Sequence, residues 1–166
     1  MIFDLHPVPL FHALLLLAIA NGSPVFAKKL LGERWATPLD CGLVMVDGQP
    51  LFGRSKTIRG LLVAIVLSTA LALLLGLDAM TGALAGSSAM AGDLLSSFTK
   101  RRLKLPPSSM APGIDQVPES LIPLMICAPR LGLSILDVAL GTVFFWLGEL
   151  ILSRWLYALK IRDRPY

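Results

Sequence analysis

Two cysteines in 166 residues, Cys41 in a polar segment and Cys127 in an apolar one, face different environments and imply neither a disulfide nor a cysteine metal site. Charge is scarce as well: Asp, Glu, Lys and Arg make up 16% of the chain against 55% apolar residues, which excludes an ordinary soluble domain. The apolar stretches lack the every-other-residue alternation of a barrel strand and are read as helices. There is no internal repeat, no low-complexity tract and nothing to suggest a second domain, so residues 1–166 read as a single integral membrane domain. The phosphate-binding spacing G-x-x-x-x-G-K-[ST] is also missing.

What is present is a set of segments near the roughly 20 residues that a helix needs to cross a bilayer. Residues 61–77, "LLVAIVLSTALALLLGL", carry no charge, and residues 79–97 form a second span interrupted near its end by Asp93. Gly76, Leu77 and Asp78 supply the turn between them. A further span is expected over about residues 3–20, and residues 117–159 hold two more, with "APRLG" at 128–132 as the turn. The small-x-small triplet "AIA" at 18–20 could mark a cleaved leader, but the absent basic segment before it and the cationic loop after it argue against cleavage.

The fold expected is all-α, a polytopic membrane bundle of about five helices whose two polar loops, about residues 21–60 and 100–117, form the site. The cations are lopsided between loops. Six lie in 21–60, four in 100–104 and four from Arg154 to Arg164, whereas Arg130 falls alone on the other side. Cationic loops stay in the cytoplasm, which puts the N-terminus outside and the C-terminus inside a cell membrane.

Chemistry is expected where polar residues meet the membrane edge. Gly82, Gly86, Met90, Asp93, Ser97 and Lys100 recur at steps of three or four and share one helical face. Gly82 and Gly86 read as packing residues. An ionisable group at the end of a span needs a partner, and Asp93 reads either as an interfacial carboxylate paired with Lys100 or as a ligand site. Ser96, Ser97 and the cations of "KRRLK" favour the second, since hard oxygen ligands suit Mg²⁺ and Lys or Arg suit phosphate. The first polar loop, about forty residues long, exceeds an ordinary connection. Its "VDGQPLFG" reads as a tight turn and "GRSKTIRG" as a phosphate-binding stretch by residue type. "ANGSPV" reads as a helix stop and restart, and "PPSSMAPGIDQVPES" as a linker carrying Asp115 to the membrane edge. His6 and His12 are given no chemistry.

In order, "ANGSPV", "PLDCG", "DGQPLFGRSKTIRG", "AGDLLSSFTKRR" and "IDQVP" resemble the archaeal-type CDP-archaeol synthase family. "AGDLLSSFTKRR" is also similar to the G-D-x-x-x-S-x-x-K-R start of the signature of CDP-diacylglycerol synthases, whose H-G-G-x-x-D-R-x-D ending is reduced here to "GIDQ". The resemblance covers about residues 20–120. It implies a CTP-dependent phospholipid cytidylyltransferase that makes a CDP-lipid and pyrophosphate, with Mg²⁺ held by Asp93 and Asp115. Lys56, Arg59, Lys100 and Arg101 would hold the triphosphate and the lipid phosphate, and Asn21, Asp40, Asp47, Thr57 and Ser97 would meet the nucleotide or support the site. The expected partners are CTP, a lipid phosphate and the membrane, with no nucleic acid. The acceptor, acyl or isoprenoid ether, and the oligomeric state, a homodimer included, stay open. A small transporter or scramblase with Asp93 as its ion-coupling residue is the rival, and a non-catalytic adaptor the third reading.

Overall fold

The computed structural model describes residues 4–106, 109, 111 and 113–159. These form five helices, α1 (Pro7–Leu31), α2 (Ile58–Leu74), α3 (Ala79–Arg102), α4 (Gln116–Leu131) and α5 (Ile135–Ala158). Among the described residues there is no named strand, and the loop between α1 and α2 contains isolated bridges joining Pro38 to Thr57 and Val44 to Pro50. Pro7–Leu31 and Ile135–Trp155 are long and apolar enough to cross a membrane, and α2 is a shorter apolar helix. The all-α bundle expected from the apolar runs is what the chain forms.

Helix starts follow from side chains that satisfy the free N–H groups of a first turn. Thr57 accepts from Gly60 at the start of α2, Asp78 from Thr81 at the start of α3, and Ser134 forms a reciprocal capping box with Asp137 at the start of α5. Gly132, at φ +69°, ends α4 in the left-handed conformation that glycine adopts without penalty. The α4–α5 turn therefore falls at residues 132–134, just beyond the expected 128–132. The largest departure is at "ANGSPV": α1 does not stop at residue 20 but runs on to Leu31 with Pro24 inside it. Pro24 packs closely against Gly60 of α2, so the residue that reads as a helix breaker becomes a contact surface.

The helices alternate in direction. Two polar contacts mark one end, His6 Nδ1 to Asp137 Oδ2 at 2.7 Å, which joins the starts of α1 and α5, and Arg130 to Asp78 at 3.2 Å. The loop between α1 and α2, the end of α3 and the start of α4 gather at the other. α3 lies against α1, α2 and α4, and its small residues make this close packing feasible. A β-carbon on Gly82 would lie 2.6 Å from the backbone of Ser68 and Thr69, and one on Gly86 would lie 2.9 Å from Ile65 Cα. Leu16, Leu17, Ala72, Ala85, Leu124 and Cys127 complete the core. Large side chains such as Val66, Leu74, Phe144 and Ile151 point outward. Lipid tails solvate that surface as well as another helix would, so tight backbone approach matters more here than apolar area. Gly82→Val should therefore separate α2 from α3 and cost about 3 kcal/mol or more, read as a lowered melting temperature in detergent; an unchanged melting temperature would contradict the close packing.

Candidate active site

The end of the bundle opposite Arg130 encloses a cavity of about 1120 Å³. Its walls carry eight cations, Lys28, Lys29, Arg54, Lys56, Arg59, Lys100, Arg101 and Arg154, against five carboxylates, Glu33, Asp93, Asp115, Glu119 and Glu149. The volume is at the upper end of small-molecule sites, and the excess of positive charge suits a polyanion. Lys160, Arg162 and Arg164, counted with the cationic tail in the sequence, lie outside the described residues, as do Pro107, Ser108, Met110 and Pro112 of the linker.

Two ion pairs organise the chamber. Lys56 Nζ lies 2.5 Å from Asp93 Oδ1 and 2.6 Å from Oδ2, tying the first loop to α3. Lys100 Nζ lies 2.6 Å from Asp115 Oδ1 and also donates to the Ser109 carbonyl at 3.2 Å. Burial alone would push the Lys56 ammonium down, but the carboxylates of Asp93, Glu119 and Asp115 outweigh it and hold the group above the ordinary lysine range. The partner read for Asp93 from its own helix, Lys100, is thus replaced by Lys56, from a segment 37 residues away. Asp93 and Glu119 are near enough for their charges to influence each other, and Ser96 Oγ donates to Glu119 Oε1 at 3.4 Å.

Other polar residues hold the walls in place. Asp40 accepts backbone N–H groups from Gly42, Phe52 and Gly53 at 2.9–3.0 Å. Slight burial would raise this carboxyl, but those donors outweigh it and hold it below the ordinary carboxylate range. Its contribution to stability is therefore present at neutral pH and lost only as pH falls through that lowered value. Gly53, at φ +98°, carries the chain past the Arg101 guanidinium. Arg102 binds Asp47 at 3.1 Å and the Pro50 carbonyl at 2.8 Å while lying over the Phe98 ring, which docks the "VDGQP" turn on the end of α3. Arg59 donates to the carbonyls of Gly32 and Arg34, closing the exit of α1. Arg101 donates to the Pro106 carbonyl at 2.9 Å.

No protein-family model matches the chain. CDP-archaeol synthase of Thermofilum pendens is 38% identical over 104 residues, 60% of this chain and 51% of that relative, so the match spans about half of that protein's length. CDP-archaeol synthase of Pyrococcus furiosus is 37% identical over 123 residues, 68% of this chain and 70% of the relative. A solved structure, described as an intramembrane enzyme for archaeal membrane lipid biosynthesis, superposes with a TM-score of 0.69 at 27% identity, covering 84% of this chain and 91% of that one. The chain belongs to the CDP-archaeol synthase family.

In this member of the CDP-archaeol synthase family, Asn21, Lys56, Thr57, Arg59, Asp93, Ser97, Lys100, Arg101 and Asp115 all line the cavity. Asp40 and Asp47 do not line it. They fix the turns that present Gly53 and the hairpin. Thr57 is also the cap of α2, and one guanidinium nitrogen of Arg59 is committed to backbone carbonyls. Sequence reading missed Glu119, Glu149, Lys28, Lys29, Arg54 and Arg154. A signal existed for Glu149, an acidic residue within the apolar stretch 135–152. Lys56→Gln should leave Asp93 without its cation and cost about 3 kcal/mol. The loss in melting temperature should not shrink between about pH 7 and 9, because an ammonium held above the ordinary lysine value titrates only beyond that window. A difference that shrinks by about pH 9 would contradict the pair.

Proposed function

We propose that this chain transfers a cytidylyl group from CTP to a membrane lipid phosphate, giving a CDP-lipid and pyrophosphate. The observation that carries this reading is the cavity, in which cations from four separate segments line the walls around Asp93 and Glu119 at the end of a membrane helix bundle. Membership of the CDP-archaeol synthase family supports it. The whole chain acts as one membrane domain. The cation-rich end, with the C-terminus, faces the cytoplasm and the N-terminus lies outside, as the bias of Lys and Arg favours.

The reaction forms a bond between an oxygen of the lipid phosphate and the α-phosphorus of CTP, and breaks the bond from that phosphorus to the oxygen bridging to the β-phosphate. The lipid phosphate is already an anion at neutral pH, so no general base is required. Lys56 and Lys100 neutralise the reacting phosphates, while Asp93 and Asp115 orient these lysines. Arg101, with Lys28 and Lys29 across the cavity, takes the remaining phosphate charge. Ser97 and Asn21 offer hydrogen bonds near the reacting groups, and Arg59 and Thr57 brace the wall behind them. Phosphoryl transfer of this kind depends on positioning and charge more than on covalent chemistry.

The donor set fits a hard divalent cation. Asp93 and Glu119 place two carboxyl groups in one cavity beside Lys56, and carboxyl oxygens are the ligands a hard cation takes. Among the described residues no three Asp, Glu, His or Cys converge on one point, so Mg²⁺ here would take one or two protein carboxylates and fill its shell with phosphate oxygens and water. Asp93 would be the primary ligand, with Glu119 beside it. Asp115 stands in the same cavity with its oxygens on Lys100 and the Ala111 N–H. When bound, the ion neutralises charge on the triphosphate.

The test is formation of labelled CDP-lipid by purified full-length protein in detergent with Mg²⁺, labelled CTP and either phosphatidic acid or digeranylgeranylglyceryl phosphate. Product with one or both acceptors is expected; none from folded protein would overturn the reading. Asp93→Asn should lower turnover about a hundredfold or more in protein that still inserts, whereas Arg130→Ala at the opposite end should leave it within about twofold, as expected for an exposed ion pair.

A further inference from the structure

A β-carbon on most helical glycines would meet a neighbouring segment, that of Gly60 at 3.3 Å from Pro24 among them. A β-carbon on Gly82, Gly86, Gly92 or Gly141 would come within 2.9 Å of a neighbouring segment, so these are sites of close packing. A β-carbon on Gly22 or Gly148 would meet nothing within 4 Å. Glycine is costly in a helix interior, and no contact or turn accounts for either residue. Both border the same opening, an apolar slot of about 240 Å³ in the seam between α1 and α5.

Leu14, Ala18 and Gly22 line this slot from α1, and Phe144, Gly148 and Leu152 from α5. Phe144 and Leu152 are about half exposed on the outer flank of the bundle. At its inner end the slot is bounded by Asn21, Val25, Glu149 and Ser153, all of which also line the cation-rich cavity. The seam thus joins the lipid-facing flank of the bundle to the chamber for phosphate. Its apolar walls offer little to a nucleotide and suit a hydrocarbon chain.

We propose that the α1–α5 slot holds the hydrocarbon next to the headgroup of the lipid phosphate substrate, with Gly22 and Gly148 keeping the space open. This rests on the cytidylyl transfer reading only for the identity of the occupant. The occupant is a phosphate carrying apolar chains, acyl or isoprenoid ether, that stays in the bilayer while its phosphate enters the cavity between α1 and α5.

The experiment uses the full chain in detergent and the variants Gly148→Leu and Gly22→Leu, which fill the slot from opposite walls and replace a poor helix former with a good one. Ala70→Leu, at an exposed position of α2, is the control. Retention of labelled phosphatidic acid and of labelled digeranylgeranylglyceryl phosphate is measured first, then KM for each lipid at saturating CTP, with labelled CTP binding as the third readout. Both slot variants should weaken lipid retention and raise lipid KM about tenfold or more, the scale of steric discrimination in an apolar pocket. CTP binding should be unchanged, as should everything in Ala70→Leu. Loss with one lipid only would assign the slot to that chain class. Unchanged retention and KM for both lipids in both variants would overturn the proposal. An unproductive parent that still retains lipid through the slot would instead sink the transfer reading and leave the slot standing.

Discussion

A charge at the edge of a bilayer persists only when an opposite charge meets it, and the contact between Lys56 and Asp93 satisfies that condition for the whole active end of this protein. It links a polar loop to the most deeply packed helix. With Lys100 and Asp115 it makes a chamber in which both signs of charge are already desolvated and fixed. For the proposed transfer, such a chamber offers a phosphate cations whose positions are set in advance, so little reorganisation would remain for the reaction. The small residues of α3 are part of the same device, because they let α2 and α4 come close enough to bring Lys56 and Glu119 to Asp93.

The site was legible in the sequence where polarity interrupted an apolar run. Asp93 and the cations after it stand out for that reason, and the motif order around them gave the family. What local reading cannot supply is partner choice across the bundle. Lys56 is separated from Asp93 by all of α2, and the nearer Lys100 turns instead to Asp115. Glu119 follows Pro118 in a stretch that reads as a linker giving way to a helix, where an acid in the first turn is ordinary. Asp40 and Asp47 fall on the supporting side of the two roles that their sequence context left open. Carboxylates among glycines have the composition of a ligand loop, but here they accept turn N–H groups or anchor the hairpin to Arg102.

The boundaries of the helices were the least legible part of the fold. Asn, Gly, Ser and Pro in succession normally end a helix, and α1 passes through them because Pro24 has Gly60 to pack against and Asn21 returns its side-chain amide to the Leu17 carbonyl at 3.1 Å. That extra length carries Lys28 and Lys29 over the cavity. The transporter reading is not favoured by membership of the CDP-archaeol synthase family. The middle of the bundle is mostly apolar, with Ser68 and Ser88 as small buried hydroxyls, and the cations gather at one end.

The clasp between His6 and Asp137 gives the seam between α1 and α5 the mechanics of a pair of tongs. The two helices are pinned at their starts, and the gap lies further along, about 16 Å from the pin at a rise of 1.5 Å per residue. Tilting one helix by about 5° around that pivot would widen the gap by roughly 1.4 Å without breaking the clasp. One end of the seam is thus held by charge and packing, with Leu10 against Gly141, and the other is lined by small and apolar side chains with space between them.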